Sequence, residues 1–330
     1  MSKLVVVVGA TGGQGLSIVM AFLSEPGYKV RGITRNPNSE KAKALTAKGV
    51  EMVQGELGDP TSLERAFEGA HIIFGMTDYY EAFYKHGKDI AIETEFGYGR
   101  NLADAAAKIS TLKHYCWSTL PPTDAITEGK AIVPHFEGKS KVDKYIKEHL
   151  PDLYNKTLFF IFTIFTDNFV LYDIFKPIWI AAAQKWIQFA PTDPQTPYTS
   201  IGDHKVNSGI FVRAALRNPD IKPGTYVYCN VDTYTFESFL ALWGVASGVS
   251  PTAGSTKVIQ LSPEEYISLF GQMGEEIVSQ WAFFGFLKAN GIERPLGDAV
   301  VPGLALLNDE DKAQLVSTEE SLRQMDWSGY

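Results

Sequence analysis

The chain has little cysteine, no excess of basic charge and no long apolar run, and each shortage removes a class of protein. Two cysteines, Cys116 and Cys229, occur in 330 residues. They lie far apart among apolar neighbours, so they read as buried thiols of a reducing compartment and not as a disulfide framework. Histidine is scarce too: His71, His86, His114, His149 and His204 show no ligand spacing with the cysteines or carboxylates, and no metal site is expected. Lys and Arg number 30 against 38 Asp and Glu, a net charge of −8. That argues against direct nucleic-acid binding, which needs concentrated basic surface. The runs Lys41–Lys48 and Lys139–Lys147 carry mixed signs and read as solvated helix faces. The most apolar later run, Leu158–Phe165, is too short to span a bilayer and is followed by Asp167, Asn168 and Asp173, so no membrane partner is expected. The N-terminus enters a strand at once, so no signal peptide is expected and the protein is placed in the cytoplasm, or in the nucleus. No G-x-S-x-G elbow and no P-loop is present, which argues against a hydrolase or a kinase.

What the sequence does have is concentrated near its start. Leu4 to Val8 form a continuous apolar run, as in a strand buried on both faces. Gly9-Ala10-Thr11-Gly12-Gly13-Gln14-Gly15 follows, and Leu16 to Leu23 reads as a helix. Each glycine of G-x-x-G-x-x-G has a use: Gly9 for the tight turn, Gly12 for approach of a pyrophosphate, Gly15 for close helix–strand packing. The helix N-terminus then offers N–H groups and a positive dipole end to phosphates. A second strand, Lys29–Thr34, ends on Arg35 where a dinucleotide's ribose is read. An acid there would hold a 2′-hydroxyl; an arginine suits the 2′-phosphate of NADP.

The rest of the first half alternates. Helices are expected at about 14–24, 40–48, 61–67, 90–107 and 133–149. Strands are expected at 50–54, 70–76, 114–118 and 158–163. Small residues Ala103, Ala106 and Ala107 allow the long helix to lie close on a sheet. The pattern predicts an α/β doubly wound parallel sheet, a Rossmann domain over 1–165. The loop Gly55–Pro60, the stretch Thr77-Asp78-Tyr79-Tyr80 and the end of the fifth strand then share one sheet edge. Residues 166–330 are expected to form a smaller, mostly helical substrate lobe, some of whose strands could interleave with the main sheet. Helices are read at 203–216, 235–247, 262–271, 275–289 and 309–325, and surface loops at Pro194–Pro197 and Pro251–Ser255. No repeat or low-complexity tract is visible.

Gly9 to Gly15, Thr34-Arg35-Asn36-Pro37, Val53-Gln54-Gly55, Thr77-Asp78-Tyr79-Tyr80-Glu81 and His135-Phe136-Glu137-Gly138-Lys139, in that order, resemble the NmrA-like family of atypical short-chain dehydrogenase/reductases. The likeness covers about residues 3–215 and is strongest in the first 150. It implies NADP(H) held by Gly9, Thr11, Gly12, Gly13, Gln14 and Gly15, with Arg35 on the 2′-phosphate. It further implies Glu56 and Leu57 beside the adenine, Thr77 and Tyr79 near the ribose and nicotinamide, and Lys139 on the nicotinamide ribose. Thr166 to Phe169, Thr166 and Asn168 among them, would line the pocket after the sixth strand. Members of this family divide into NADPH-dependent reductases of small molecules and redox sensors without turnover that bind a protein partner.

Ordinary short-chain reductases use Tyr-x-x-x-Lys, the tyrosine donating a proton whose release the lysine eases. Here the pair is His135-x-x-x-Lys139, both on one helix face. Lys139 could be the acid, directly or through a water, or His135 could supply the proton. Ser118 and Thr119 could hold the substrate oxygen, and Tyr79 and Tyr80 could reach it. The aromatic residues from Phe159 to Phe286 are expected to shape an apolar pocket for an aromatic, quinone or polyketide-like carbonyl or enone. The expected reading is an NADPH-dependent oxidoreductase. The alternative is a catalytically silent NADP(H) sensor bound to a protein partner. A homodimer is the other assembly considered.

Overall fold

The apolar run Lys3–Val8 forms β1, and its alternate residues enter different layers. Val5 and Val7 pack into a core with Ile18, Val19 and Phe22, whereas Val6 and Val8 pack with Leu63, Phe67, Leu102 and Val142. A strand covered on both faces has to be apolar at every position. The computed structural model describes residues 2–330, and at Asp298 the backbone alone.

After β1 come α1 (Gly13–Leu23), β2 (Tyr28–Thr34), α2 (Glu40–Ala47), β3 (Glu51–Gln54), α3 (Pro60–Phe67), β4 (Ile72–Gly75) and α4 (Tyr80–His86). Then follow α5 (Lys88–Ala107), β5 (His114–Thr119), α6 (Thr123–Thr127), α7 (Pro134–His149), α8 (Pro151–Tyr154) and β6 (Thr157–Phe162). The alternation is the expected one. The additions are the short helices α4, α6 and α8; at α4 Asp78 Oδ1 accepts the Tyr80 N–H at 2.9 Å and turns the chain into a helix. Of the small residues on α5, Ala103 and Ala106 are buried, but Ala107 is exposed.

The second half holds α9 (Asn168–Leu171), β7 (Ile178–Ile180), β8 (Lys185–Ala190), β9 (Pro197–Ser200), α10 (His204–Arg217), β10 (Tyr226–Cys229) and β11 (Asp232–Thr235). It continues with α11 (Phe236–Ser247), β12 (Thr256–Gln260), α12 (Pro263–Ala289), β13 (Val300–Pro302), α13 (Asp309–Gln314) and α14 (Thr318–Gln324). Eight parallel strands make the main sheet in the order β13-β10-β6-β5-β4-β1-β2-β3. Helices cover both faces, as in a Rossmann-like doubly wound sheet. Two of these strands, β10 and β13, come from beyond residue 165. So does α10, which packs on α1 so closely that Ser17 Oγ donates to the Val206 carbonyl and accepts the Gly209 N–H. A Cβ at Gly209 would stand 2.3 Å from the Ser17 carbonyl oxygen.

The remaining segments form the lobe. Its core holds Phe169, Tyr198, Phe239, Trp243 and Trp281. It carries two small sheets, β11-β9 and β12-β8-β7, as well as helices. Phe159 and Phe160, which the sequence reading gives to the apolar pocket, are instead core residues of β6 in the main sheet. The helices read at 262–271 and 275–289 are joined as α12 and bend at Gly271, whose φ of +57° only glycine adopts at little cost. The one read at 309–325 is two, because Ser317 starts α14 afresh by accepting the Glu320 N–H.

Candidate functional site

The glycine turn lies where the strand order reverses, between β1 and β4, the place where open α/β sheets bind ligands. Gly9 takes φ +68°, and a Cβ at Gly15 would stand 2.1 Å from the Gly9 carbonyl oxygen. Gly12 caps α1 in extended conformation. No side chain bonds the first-turn N–H groups, and no acid sits in that turn. This is the donor set a phosphate needs, with space kept by absent side chains. Thr11 is half-buried in the same turn. Gly13 is glycine for a different reason: a Cβ there would meet His204 Nε2 at 2.0 Å. His204 opens α10, stacks on Phe165 with ring centroids 4.1 Å apart, and is pushed towards its neutral form by burial, against the nearby Asp167 carboxylate.

Arg35 follows β2 and is exposed. Its Nη1 donates to Glu81 Oε2 on α4 at 2.7 Å, and Glu81 Oε1 accepts from Lys85 at 2.9 Å. These bonds, Lys85 first, hold the Glu81 carboxyl below its usual range. Glu56 and Leu57 occupy the loop after β3. There the Glu56 N–H donates to Ser62 Oγ, and the Leu57 carbonyl accepts from Asn101 Nδ2.

From Gln14 and Ser118 a crevice of about 350 Å³ runs between the main sheet and the lobe. Thr77, Tyr79, Tyr80, His135, Lys139 and Asn168 line it, and α12 closes it with Met273, Ile277, Gln280 and Phe284. The spacing of those four puts them on one helix face. Phe162, Phe165, Tyr172 and Phe175 make the far wall aromatic. Ser118 Oγ donates to Gln14 Oε1 at 3.2 Å, which ties the end of β5 to the glycine turn.

Two buried carboxylates organise the polar side. Glu95 on α5 accepts from Lys139 Nζ and, at 2.9 Å, from Thr77 Oγ1. Gly138 leaves room for it, since a Cβ there would stand 2.6 Å from Glu95 Oε2. Glu276 on α12 accepts the His135 N–H at 3.0 Å and His135 Nδ1–H at 2.6 Å on one oxygen, and the Tyr79 hydroxyl at 3.1 Å on the other. A carboxylate can only accept, so Nδ1 carries hydrogen and Nε2 is the nitrogen left for other work. Burial and then Glu276 push the Tyr79 hydroxyl far above its usual range, and burial first of all pushes Tyr172 to about 12. Behind Lys139, Asp143 accepts from Thr119 Oγ1 at 2.7 Å and from the Tyr226 hydroxyl at 3.1 Å. Burial, opposed by these bonds, raises its carboxyl well above the usual range.

Of the expected stretch Thr166 to Phe169 the crevice keeps Asn168; Phe169 is lobe core, Asp167 faces His204 and Lys205, and Thr166 lies outside as well. It is fully buried, with its hydroxyl donating to the Gly202 carbonyl at 3.1 Å and 2.6 Å from Ser321 Oγ on α14. The sequence reading misses Glu95, Glu276, Glu81 and His204. Gly13 and Gly138 are the traces of His204 and Glu95, each a glycine kept small by the side chain opposite. Among the described residues no helix is long and apolar enough to cross a membrane, and no cluster of three metal-binding side chains occurs.

A family model described as the NmrA-like family matches residues 1–300. The NmrA-like family domain-containing oxidoreductase notA′ of Aspergillus versicolor is 36% identical over 143 residues, which is 43% of this chain and 39% of that protein. The corresponding oxidoreductase hkm9 of Aspergillus hancockii is 27% identical over 249 residues, 72% of this chain and 71% of that one. The match to notA′ and its counterpart notA thus spans 39% and 41% of their lengths. Among solved structures, NmrA, a negative transcriptional regulator in complex with NADP, superposes with a TM-score of 0.74 at 21% identity, covering 98% of this chain and 95% of the other. A Citrobacter triphenylmethane reductase complexed with NADP(H) gives 0.65 at 16% identity, covering 98% and 99%. Both likenesses are of fold.

Proposed function

Since the chain belongs to the NmrA-like family, we propose that it is an NADP(H)-dependent reductase acting on an aromatic, quinone or polyketide-like carbonyl or enone. One observation carries this: an aromatic-walled crevice opens beside the glycine turn, with Ser118, His135 and Lys139 on its polar side. The oxidoreductase relatives and the NADP(H)-bound reductase neighbour support the same reading. The uncapped N-terminus of α1 would hold the pyrophosphate and Arg35 the 2′-phosphate, with Glu56 and Leu57 beside the adenine. Thr77 and Tyr79 would face the ribose end, and Asn168 the far side of the pocket. The nucleotide is assigned to the body begun by residues 1–165, and the substrate to the lobe supplied after it.

When bound, the nicotinamide supplies a hydride to an electrophilic substrate carbon. The chain supplies position and a proton. Ser118 Oγ, already at the rim with Gln14, holds the substrate oxygen. Lys139, tethered by Glu95, holds ribose hydroxyls and contributes positive charge. His135 in its imidazolium form gives a proton from Nε2 and is left as the Nδ1–H tautomer that Glu276 holds.

NADPH oxidation followed at 340 nm against quinones, aromatic ketones and enones tests the reading, with NADPH binding measured by fluorescence in the same sample. Binding with turnover supports a reductase. Binding without turnover on every member favours the second reading, a cofactor sensor that binds a protein partner. Two observations support that alternative: a histidine stands where reductases carry tyrosine, and the fold matches a transcriptional regulator.

A further inference from the structure

A second chamber, of about 400 Å³, adjoins the crevice. The two share Thr199, Tyr228, Phe284 and Pro295 as a common wall. A ligand seated against His135 and Ser118 would have to pass Phe284 to enter it. Most of its lining is apolar, with Leu287, Ile292 and Leu304 among the contributors. Three charged residues line it. Lys288 Nζ is committed to Asp193 at 2.6 Å, and Glu293 is exposed. Arg294 also lines the chamber and forms no ion pair among the described residues. Its Nε is buried and has no hydrogen-bond partner there. The Arg294 charge reaches the shared wall, where it opposes the rise that burial imposes on the Tyr228 hydroxyl.

A buried guanidinium donor without an acceptor costs free energy that an arriving acceptor returns. The planar fork of arginine fits an oxyanion with two oxygens. We propose that this chamber is a specificity subsite for a carboxylate at the distal end of the substrate, with Arg294 as its partner. A single guanidinium balances one carboxylate, whereas it would leave a phosphate half-neutralised in apolar surroundings. The proposal rests on the crevice being the substrate site, and adds to it a substrate class: an acid whose reducible group and carboxylate are separated by an apolar body.

The test needs no turnover and no nucleotide. Phenylhexanoate and its primary amide are titrated into the full chain by calorimetry. The wild-type protein is expected to bind the acid about tenfold more tightly than the amide, as a charge-assisted pair implies. Arg294→Gln should abolish that preference while amide affinity and melting temperature stay unchanged, and Arg294→Lys should keep part of it. Equal binding of acid and amide by the wild type overturns the proposal, and so does a preference that survives Arg294→Gln. Tighter binding of phenylhexyl phosphate than of the acid overturns the carboxylate assignment. None of these results depends on NADPH oxidation, so failure here and failure of the reductase reading are told apart.

Discussion

Arg35 is where cofactor choice can be worked out from the structure. Its guanidinium is held by Glu81, a pair whose side chains are 71% and 46% exposed. Such a pair is worth about 0.2–1 kcal/mol. A hydrogen bond from guanidinium to the 2′-phosphate is worth about 1.5–3 kcal/mol. Glu81 competes for the same guanidinium, so the net gain is roughly 0.5–2.8 kcal/mol, or about 2- to 100-fold in Kd. Arg35→Ala should weaken NADPH binding by that factor and leave NADH unchanged. Glu81→Gln removes the competitor and should tighten NADPH by up to about fivefold, again with no effect on NADH. Both changes should shrink as salt rises, because the groups are exposed. Fluorescence titration of each variant with both cofactors reads this directly. Equal weakening of NADPH and NADH by Arg35→Ala would refute the reasoning, as would weaker NADPH binding in Glu81→Gln.

His135→Gln should lower turnover about 100-fold or more at saturating cofactor and remove one limb of the pH–rate profile. Glu276→Gln should lower it less and shift that limb, and an unchanged profile in both variants removes His135 from the proton step. Lys139→Ala should weaken cofactor binding more than it slows turnover at saturation; the reverse pattern would make Lys139 the acid. Gly15→Ala places a Cβ 2.1 Å from the Gly9 carbonyl oxygen, so NADPH affinity should fall and the melting temperature with it, and a variant that binds normally sinks the cradle assignment. Asp143 binds its proton more tightly folded than unfolded, so its contribution is full below the ordinary carboxyl range and is lost as pH rises. Urea unfolding at about pH 5 and 8 should show that loss, and Asp143→Asn should flatten it; an unaltered slope means the carboxyl is not the source.

The parts of the fold set by local pattern were legible in the residues. A run of valines, three spaced glycines and an amphipathic helix identify β1, its turn and α1 wherever they occur. The strands β10 and β13, at one side of the sheet, were not, since each is short and takes its place only by pairing with strands far away in sequence. The site divides the same way. Gly9 to Gly15, Ser118, His135 and Lys139 announce themselves through spacing. Glu276 does not, because an acid within a long helix reads as solvated until α12 is laid against α7, 141 residues from the histidine it serves. Thr166 fails for the opposite reason: its neighbourhood in sequence is right, but its hydroxyl is held by the Gly202 carbonyl and beside Ser321, residues far away in sequence.

The interleaving of lobe and sheet has a consequence for how the protein is made. A ribosome releases β10 well before β13, and until Val300–Pro302 arrives β10 presents an open row of backbone donors and acceptors. Everything between them, from β11 to the end of α12, is a parenthesis opened and closed on the same edge. Closing a longer parenthesis costs little extra, since loop entropy grows only as the logarithm of length. The part of the lobe between them can therefore gain or lose segments over generations while the two strands that bracket that part, and the glycine turn elsewhere in the sheet, keep their places.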